Sequence, residues 1–233
     1  MRLGHAFAHI SGKFHAFRQH IREFGRTFWF VMAIHFFTSY ARQLMASILF
    51  IVLTEVYNYS DASSSVLMSL LSLPSIYFFF TGAISDHYDL FLGLTISNLS
   101  IGSGIVLLMM TGNPYVICIS LVFFYPIGNA LGYSVTLLSV SNHSSSSGMA
   151  IGFAIMHASS QLPQFLAFIT IAIVNSIHLS NPTPAHRTMT ILAIAIASTV
   201  ISFIISLYNY SNDCRSCGCR VIKDNPYLDY EDG

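Results

Sequence analysis

Arg42 falls inside an apolar run that opens with FWFVMAIHFF and closes with ILFIVL. A permanent cation in such a place pairs with an anion, orients neutral oxygen acceptors, or holds a charged ligand. His35 precedes it by seven residues, so the two lie on nearly the same helical face. Amides and a second imidazole recur in other apolar runs: Asn98, Asn129, His157, Gln161 and Gln164. The last three fall at i, i+4 and i+7, a polar stripe beside Pro163. These groups donate and accept hydrogen bonds, and together they are candidate lining for a solute cavity. The plainer reading of each amide or imidazole is a bond from helix to helix.

Arg42 is the least easily explained that way. An arginine at mid-membrane costs roughly 2.5–3.5 kcal/mol on insertion scales, so it belongs in a bundle or a wet cavity rather than against lipid. Between residues 27 and 211 the other charged side chains are Glu55, Asp61, Asp86, Asp89 and Arg187, all in or beside predicted loops. Glu55 is 13 residues on, roughly 20 Å along a helix. The partners left for Arg42 are amides, freed carbonyls, water or an anionic group on a ligand.

The surrounding sequence is that of an all-α membrane protein. Of 233 residues 54% are hydrophobic and 9% charged, against about a quarter charged in a soluble domain. Spanning helices need roughly 20 mostly apolar residues, and six segments qualify: about 27–53, 65–85, 90–111, 114–140, 148–175 and 188–208. The zero net charge gives nucleic-acid binding no electrostatic support. No cleavable signal peptide is visible, so the first span is expected to act as its own insertion signal.

This gives three regions: 1–26, a six-helix domain over 27–208, and a tail over 209–233. The first carries Arg2, Lys13, Arg18, Arg22 and Arg26, and the tail carries Arg215, Arg220 and Lys223. Basic flanks stay in the cytosol, so both termini are expected there, in the plasma membrane or an intracellular vesicle membrane. Of the glycosylation sequons outside the spans, at Asn58, Asn142 and Asn209, that topology places Asn58 alone outside. Leu3, Phe7, Ile10, Phe14, Phe17, Ile21 and Phe24 draw one apolar helical stripe. That stripe fits an in-plane interfacial helix or a helix packed on the protein's own cytosolic face.

Small residues recur four apart at Gly128/Gly132, Gly148/Gly152 and Ser100/Gly104, a spacing that lets membrane helices approach closely. Pro74 and Pro163 interrupt the second and fifth spans and free the carbonyls of Leu70 and Ser159. No catalytic signature, phosphate loop or metal site is present, and no cofactor is implied. An intramembrane serine protease would need G-x-S-G, and the nearest text, IGSGI at Gly102-Ser103-Gly104, lacks its first glycine. Cys214, Cys217 and Cys219 follow the sixth span. They suit palmitoylation, with free thiols or, given a fourth ligand, a metal as the alternatives.

Between the second and third spans stands GAISDHYD. Gly82 and Asp86 resemble the G-x-x-x-D opening of the loop motif of the major facilitator superfamily, in the place that family puts it. The family's next glycine is Asp89 here, and its basic residues are absent. LGYSVTLLSV and GMAIGFAIMHASSQLPQ are similar to the tenth and eleventh helices of the sucrose/proton symporter-like (glycoside–pentoside–hexuronide) branch, through Tyr133-Ser134-Val135, Gly148, Gly152, Pro163 and Gln164. Thr54-Glu55 matches a Thr-Asp pair of that branch in part.

The resemblance implies the C-terminal half of a twelve-helix transporter, built from two inverted three-helix repeats. It implies a gate at Gly82 and Asp86, and coupling at Glu55, a histidine or the other half. The expected function is transport of a small polar solute, sugar-like or an organic anion, by a half that pairs with a second half or a second copy. The alternative is a non-transporting membrane protein that binds or regulates a full-length transporter.

Overall fold

The computed structural model describes residues 21, 24–85, 89–144, 148–177 and 184–217, without the side chains of 74, 84, 184 and 213–217. The described residues are all-helical. Helix α1 (Arg26–Ile51) runs on through a π-turn at Val52–Val56. Helices α2 (Asp61–Ser69) and α3 (Pro74–Ser85) follow, then α4 (Leu90–Met110). Helix α5 (Pro114–Ile119) passes through a π-turn at Ser120–Phe124 into α6 (Tyr125–His143). Helices α7 (Met149–Ile177) and α8 (Pro184–Cys217) complete the set.

These elements make six helices long and apolar enough to cross a membrane: Arg26–Val56, Asp61–Ala83, Leu90–Met110, Pro114–His143, Met149–Ile177 and Ala185–Asn212. They match the six expected from composition to within a few residues. The last helix is the exception, running to Cys217. Its apolar run stops near 208, but the helix continues through the polar residues beyond, and the Asn209 side-chain Nδ2 donates to the Ile205 carbonyl (2.7 Å).

Local chemistry sets the boundaries. Asp89 caps α4, its Oδ1 accepting from the amides of Phe91 (2.9 Å) and Leu92 (3.3 Å). Asp89 thus starts the third span. Asn113 caps α5 in the same way, with Pro114 in the first turn. The two prolines act differently. Before Pro74 the helix tightens to a 3₁₀ turn at Leu70–Ser72 and passes through a turn at Leu73, whose backbone stays in the right-handed helical region, whereas α7 continues through Pro163. Pro126 sits just after the π-turn, where the wider turn spares the carbonyl four residues back a clash with its ring.

The first span packs on the fifth and sixth, the fourth packs on the second and third, and the third and sixth pack on each other. Exchanging first with fourth, second with fifth and third with sixth leaves that pattern unchanged. Small residues permit the closest crossings. A Cβ on Gly128 would come within 2.8 Å of Ile101 Cγ1 and of the Ser97 carbonyl, and one on Gly132 within 2.5 Å of Ser97 Oγ. Ser97 Oγ donates to the Gly128 carbonyl (2.6 Å), Ser100 Oγ to Phe124 (2.7 Å) and Ser120 Oγ to Gly104 (2.7 Å).

The apolar interior is split in two. One core gathers Phe24, Phe28, Val31, Ile34, Phe91, Leu94, Leu131, Val135, Val140 and Met156. The other gathers Ala41, Leu44, Ile48, Ile101, Ile105, Leu121, Tyr125, Ala167, Leu192 and Ala195, among others. Reading each helix from one core to the other shows α1, α4 and α7 running one way and α6 and α8 the other. The start of α1 and the far part of α8, near Tyr210, lie at the same end.

Of the N-terminal stripe, Ile21 and Phe24 are described. Phe24 is 6% exposed and stacks on Phe28 at 4.2 Å, so at this residue the stripe packs on the protein itself. Its earlier residues, with Asp86 and Cys219, lie outside the described residues. The backbone at Cys214 and Cys217 is helical.

Candidate functional site

Between the two cores every packed helix turns polar. On α1 the break spans His35 to Ser39, on α4 Thr95 to Ser100, on α6 Pro126 to Ala130 and on α8 Ala197 to Ile204. Arg42 borders this layer. It lies 16 residues from the start of its 31-residue span, roughly 24 Å along the axis, and is therefore near mid-membrane.

Two clusters divide the layer. The first is a junction. Asn98 Oδ1 lies 2.6 Å from Thr38 Oγ1 and 3.0 Å from Ser202 Oγ, while both hydroxyls also reach the Ile34 carbonyl (2.8 and 3.1 Å). Ser198 Oγ donates to the Phe37 carbonyl (2.8 Å). This ties α1, α4 and α8 together through groups a bilayer could not satisfy. Asn98 is 1% exposed and sits in that junction, not on the cleft lining.

The second cluster is a cleft among α1, α4 and α6. His35, Thr38, Ser39 and Arg42 line it from α1, Ser97 from α4, and Asn129, Tyr133 and Thr136 from α6. The space among them is about 10 Å³, room for about one water molecule. Arg42 donates from a terminal guanidinium nitrogen to Asn129 Oδ1. No ion pair to Arg42 forms among the described residues. Thr136 Oγ1 donates to the Gly132 carbonyl (2.7 Å) and lies 3.5 Å from His35 Nδ1. His35 Nε2 is buried without a hydrogen-bond partner among the described residues. Tyr133, 41% exposed, brings the cleft to the surface of the unit, with its ring 5.3 Å from that of Phe78 on α3.

Of the candidate lining residues, the structure brings together Arg42, His35 and Asn129. His157, Gln161 and Gln164 are at the same height on α7 but face outward, because Gly152, Met156, Ser159, Pro163 and Ala167 form the buried stripe of that helix. Glu55 is exposed in the π-turn that ends the first span. Just beyond it, Tyr57 donates to the Leu108 carbonyl (2.5 Å), with its phenol pushed above its ordinary value by burial and then by Tyr59. Gly82 is half-buried on α3, and a Cβ there would meet nothing within 4 Å.

The cleft residues missed as sites were Thr38, Ser39, Ser97 and Thr136. Their spacing was legible: Ser39 lies between His35 and Arg42 at helical intervals, and Thr136 follows Asn129 by seven. No group of three or more His, Cys, Asp or Glu residues placed to hold a metal occurs among the described residues.

No protein-family model matches the chain, and no curated protein sequence matches it. The likeness carried by Gly82, Asp86, Tyr133-Ser134-Val135, Gly148, Gly152, Pro163 and Gln164 therefore rests on those residues alone.

Proposed function

We propose that this chain is half of an alternating-access transporter for a small polar solute, with the α1–α4–α6 cleft as part of its solute site. The observation that carries this reading is Arg42: a mid-span cation answered by one neutral amide, in a cleft set between two apolar cores. A charge retained at that depth marks a solute or ion path by default. Transporters of this general build bind at the midplane, where two repeats meet.

The packing pattern supports two inverted three-helix repeats of the major facilitator kind. The first and fourth spans exchange roles and run in opposite directions. The half reading is supported by what stays uncovered. Arg42 and Asn129 are only half-buried, and His157, Gln161 and Gln164 face outward at the same depth. A second six-helix wall, from another copy or a separate half, would enclose both sets. Basic flanks favour a cytosolic position for both ends. In this reading Gly82 and Asp86 belong to a gate, and Glu55 or a histidine carries the coupling ion.

The outward face of α7 also favours a second reading, a non-transporting subunit that docks on a full-length transporter. Uptake by the purified chain in reconstituted vesicles separates the two. Uptake is expected with wild type, lost in Arg42→Ala and reduced in Arg42→Lys. Uptake that survives both substitutions removes Arg42 from the mechanism. Vesicles that take up no solute, with the chain folded, favour the docking subunit.

A further inference from the structure

A guanidinium has five N–H donors, and one of Arg42's is taken up by Asn129. The rest of that charge faces a cleft whose described lining holds no carboxylate. Sugar hydroxyls could accept from it but would leave the charge uncompensated. A carboxylate matches both the charge and the planar fork.

The second half of the site is His35, 6% exposed. The single proton of the Thr136 hydroxyl points to the Gly132 carbonyl at 2.7 Å, so its oxygen is free to accept from His35 across 3.5 Å when Nδ1 carries the proton. In the neutral ring Nε2 then carries a bare lone pair, buried and unanswered. In the protonated ring it becomes an N–H donor on the cleft that Arg42 lines.

Few other titratable groups bear on it. On α1 these are Arg42 itself, with Arg26, Tyr40 and Glu55 farther along; on α6 they are Tyr125, Tyr133 and His143. Helix α4 has none, α8 has none between Ser198 and Ser206, and on α7 His157 is exposed. Without a ligand, protonating His35 would bury a charge and set a second cation beside Arg42, both unfavourable. An anion between them removes the repulsion and offsets the cost of burial.

We propose that Arg42 and His35 together bind the carboxylate head of a small organic anion, with one proton from solvent taken up on His35 Nε2. Anion and proton each raise the affinity for the other, as linkage requires. The space at the head group is room for about one water, so the cleft widens to seat the carboxylate, and the organic remainder lies toward Tyr133 at the mouth. This rests on the reading of the cleft as a solute site and names the class of solute.

The test is equilibrium binding to the full chain in detergent, with radiolabelled lactate and glucose as probes at pH 7.5 and 5.5. Lactate should bind at least about tenfold more tightly at the lower pH, since one linked proton gives up to about tenfold per pH unit. Glucose should not respond. Arg42→Gln should abolish lactate binding, Arg42→Lys should weaken it, and His35→Gln should weaken binding at pH 5.5 to no more than its pH 7.5 strength, which flattens the pH dependence. Lactate binding that ignores pH overturns the proposal, as does glucose binding in place of lactate. The wild-type pH profile decides the matter even if a variant fails to fold. Linked lactate binding without uptake in vesicles keeps this inference and sinks the transporter. Uptake of a neutral sugar without lactate binding does the reverse.

Discussion

The guanidinium of Arg42 on α1 donates to the side-chain carbonyl of Asn129 on α6, joining the first and fourth spans at mid-membrane by a charge-to-amide bond. A neutral amide orients a cation without cancelling its charge. The bond therefore holds Arg42 in place and leaves its charge free for a ligand.

Replacing Asn129 separates those two effects. Asn129→Ala leaves the guanidinium without its acceptor and should cost about 1–3 kcal/mol, read as a lower unfolding temperature in detergent. Asn129→Asp should restore the contact as an ion pair and unfold at a higher temperature than the alanine variant. It should also bind lactate at least about tenfold more weakly, because the new carboxylate occupies the charge the solute would meet. Equal lactate affinity in wild type and Asn129→Asp would remove Arg42's free charge from recognition.

The α4–α6 crossing gives a stability contrast between two glycines. A Cβ on Gly128 would press on the Ser97 carbonyl and Ile101 at 2.8 Å, whereas one on Gly82 meets nothing within 4 Å. Gly128→Ala should destabilise the fold by about 1–3 kcal/mol through overpacking. Gly82→Ala should be neutral or gain up to about 1 kcal/mol from helix propensity. Thermal unfolding of both variants in one detergent checks the ordering.

Asn98 and Asn129 are both span amides, but their surroundings assign them different work. Asn98 bonds the Thr38 and Ser202 hydroxyls behind the cleft, and those hydroxyls keep the Ile34 carbonyl within reach when it is removed. Its own Nδ2 lacks a partner among the described residues. Asn98→Leu should therefore shift stability by no more than about 1.5 kcal/mol and leave lactate affinity unchanged. A loss of affinity at constant unfolding temperature would place Asn98 in the site after all.

That distinction marks where the sequence stops being informative. Six apolar runs gave six helices because length and hydropathy depend on the segment alone. Gly128/Gly132 read correctly as a close crossing because a missing side chain has one main use inside a membrane. Polar residues carry no such label. Asn98, Asn129 and Gln161 look alike in one dimension, and only helix rotation puts the first in a junction, the second in a cleft and the third on an outer face. The two-core division was equally hidden, since it appears when α1, α4, α6 and α8 are laid side by side with alternate directions. The π-turn before Pro126 is likewise a local departure that apolar periodicity does not register.

The outer face of α7 supplies the last prediction. His157, Gln161 and Gln164 point away from α1 beside Leu162 and Phe165, which are 56% and 65% exposed. An amide facing hydrocarbon lacks the hydrogen bonds that water would give it, at a cost of several kcal/mol per unsatisfied group. A second copy that lays the same stripe against this one would satisfy the amides. With Cys118, Cys214, Cys217 and Cys219 changed to serine, Gln161→Cys should form a disulfide-linked dimer in membranes under mild oxidation. Ile204→Cys is the control, because that residue is 58% exposed on α8 but lies outside any such stripe. It should stay monomeric. Equal cross-linking at both positions means random collision. No cross-link at Gln161, in a chain that still transports, means that the second wall is not another copy of this chain.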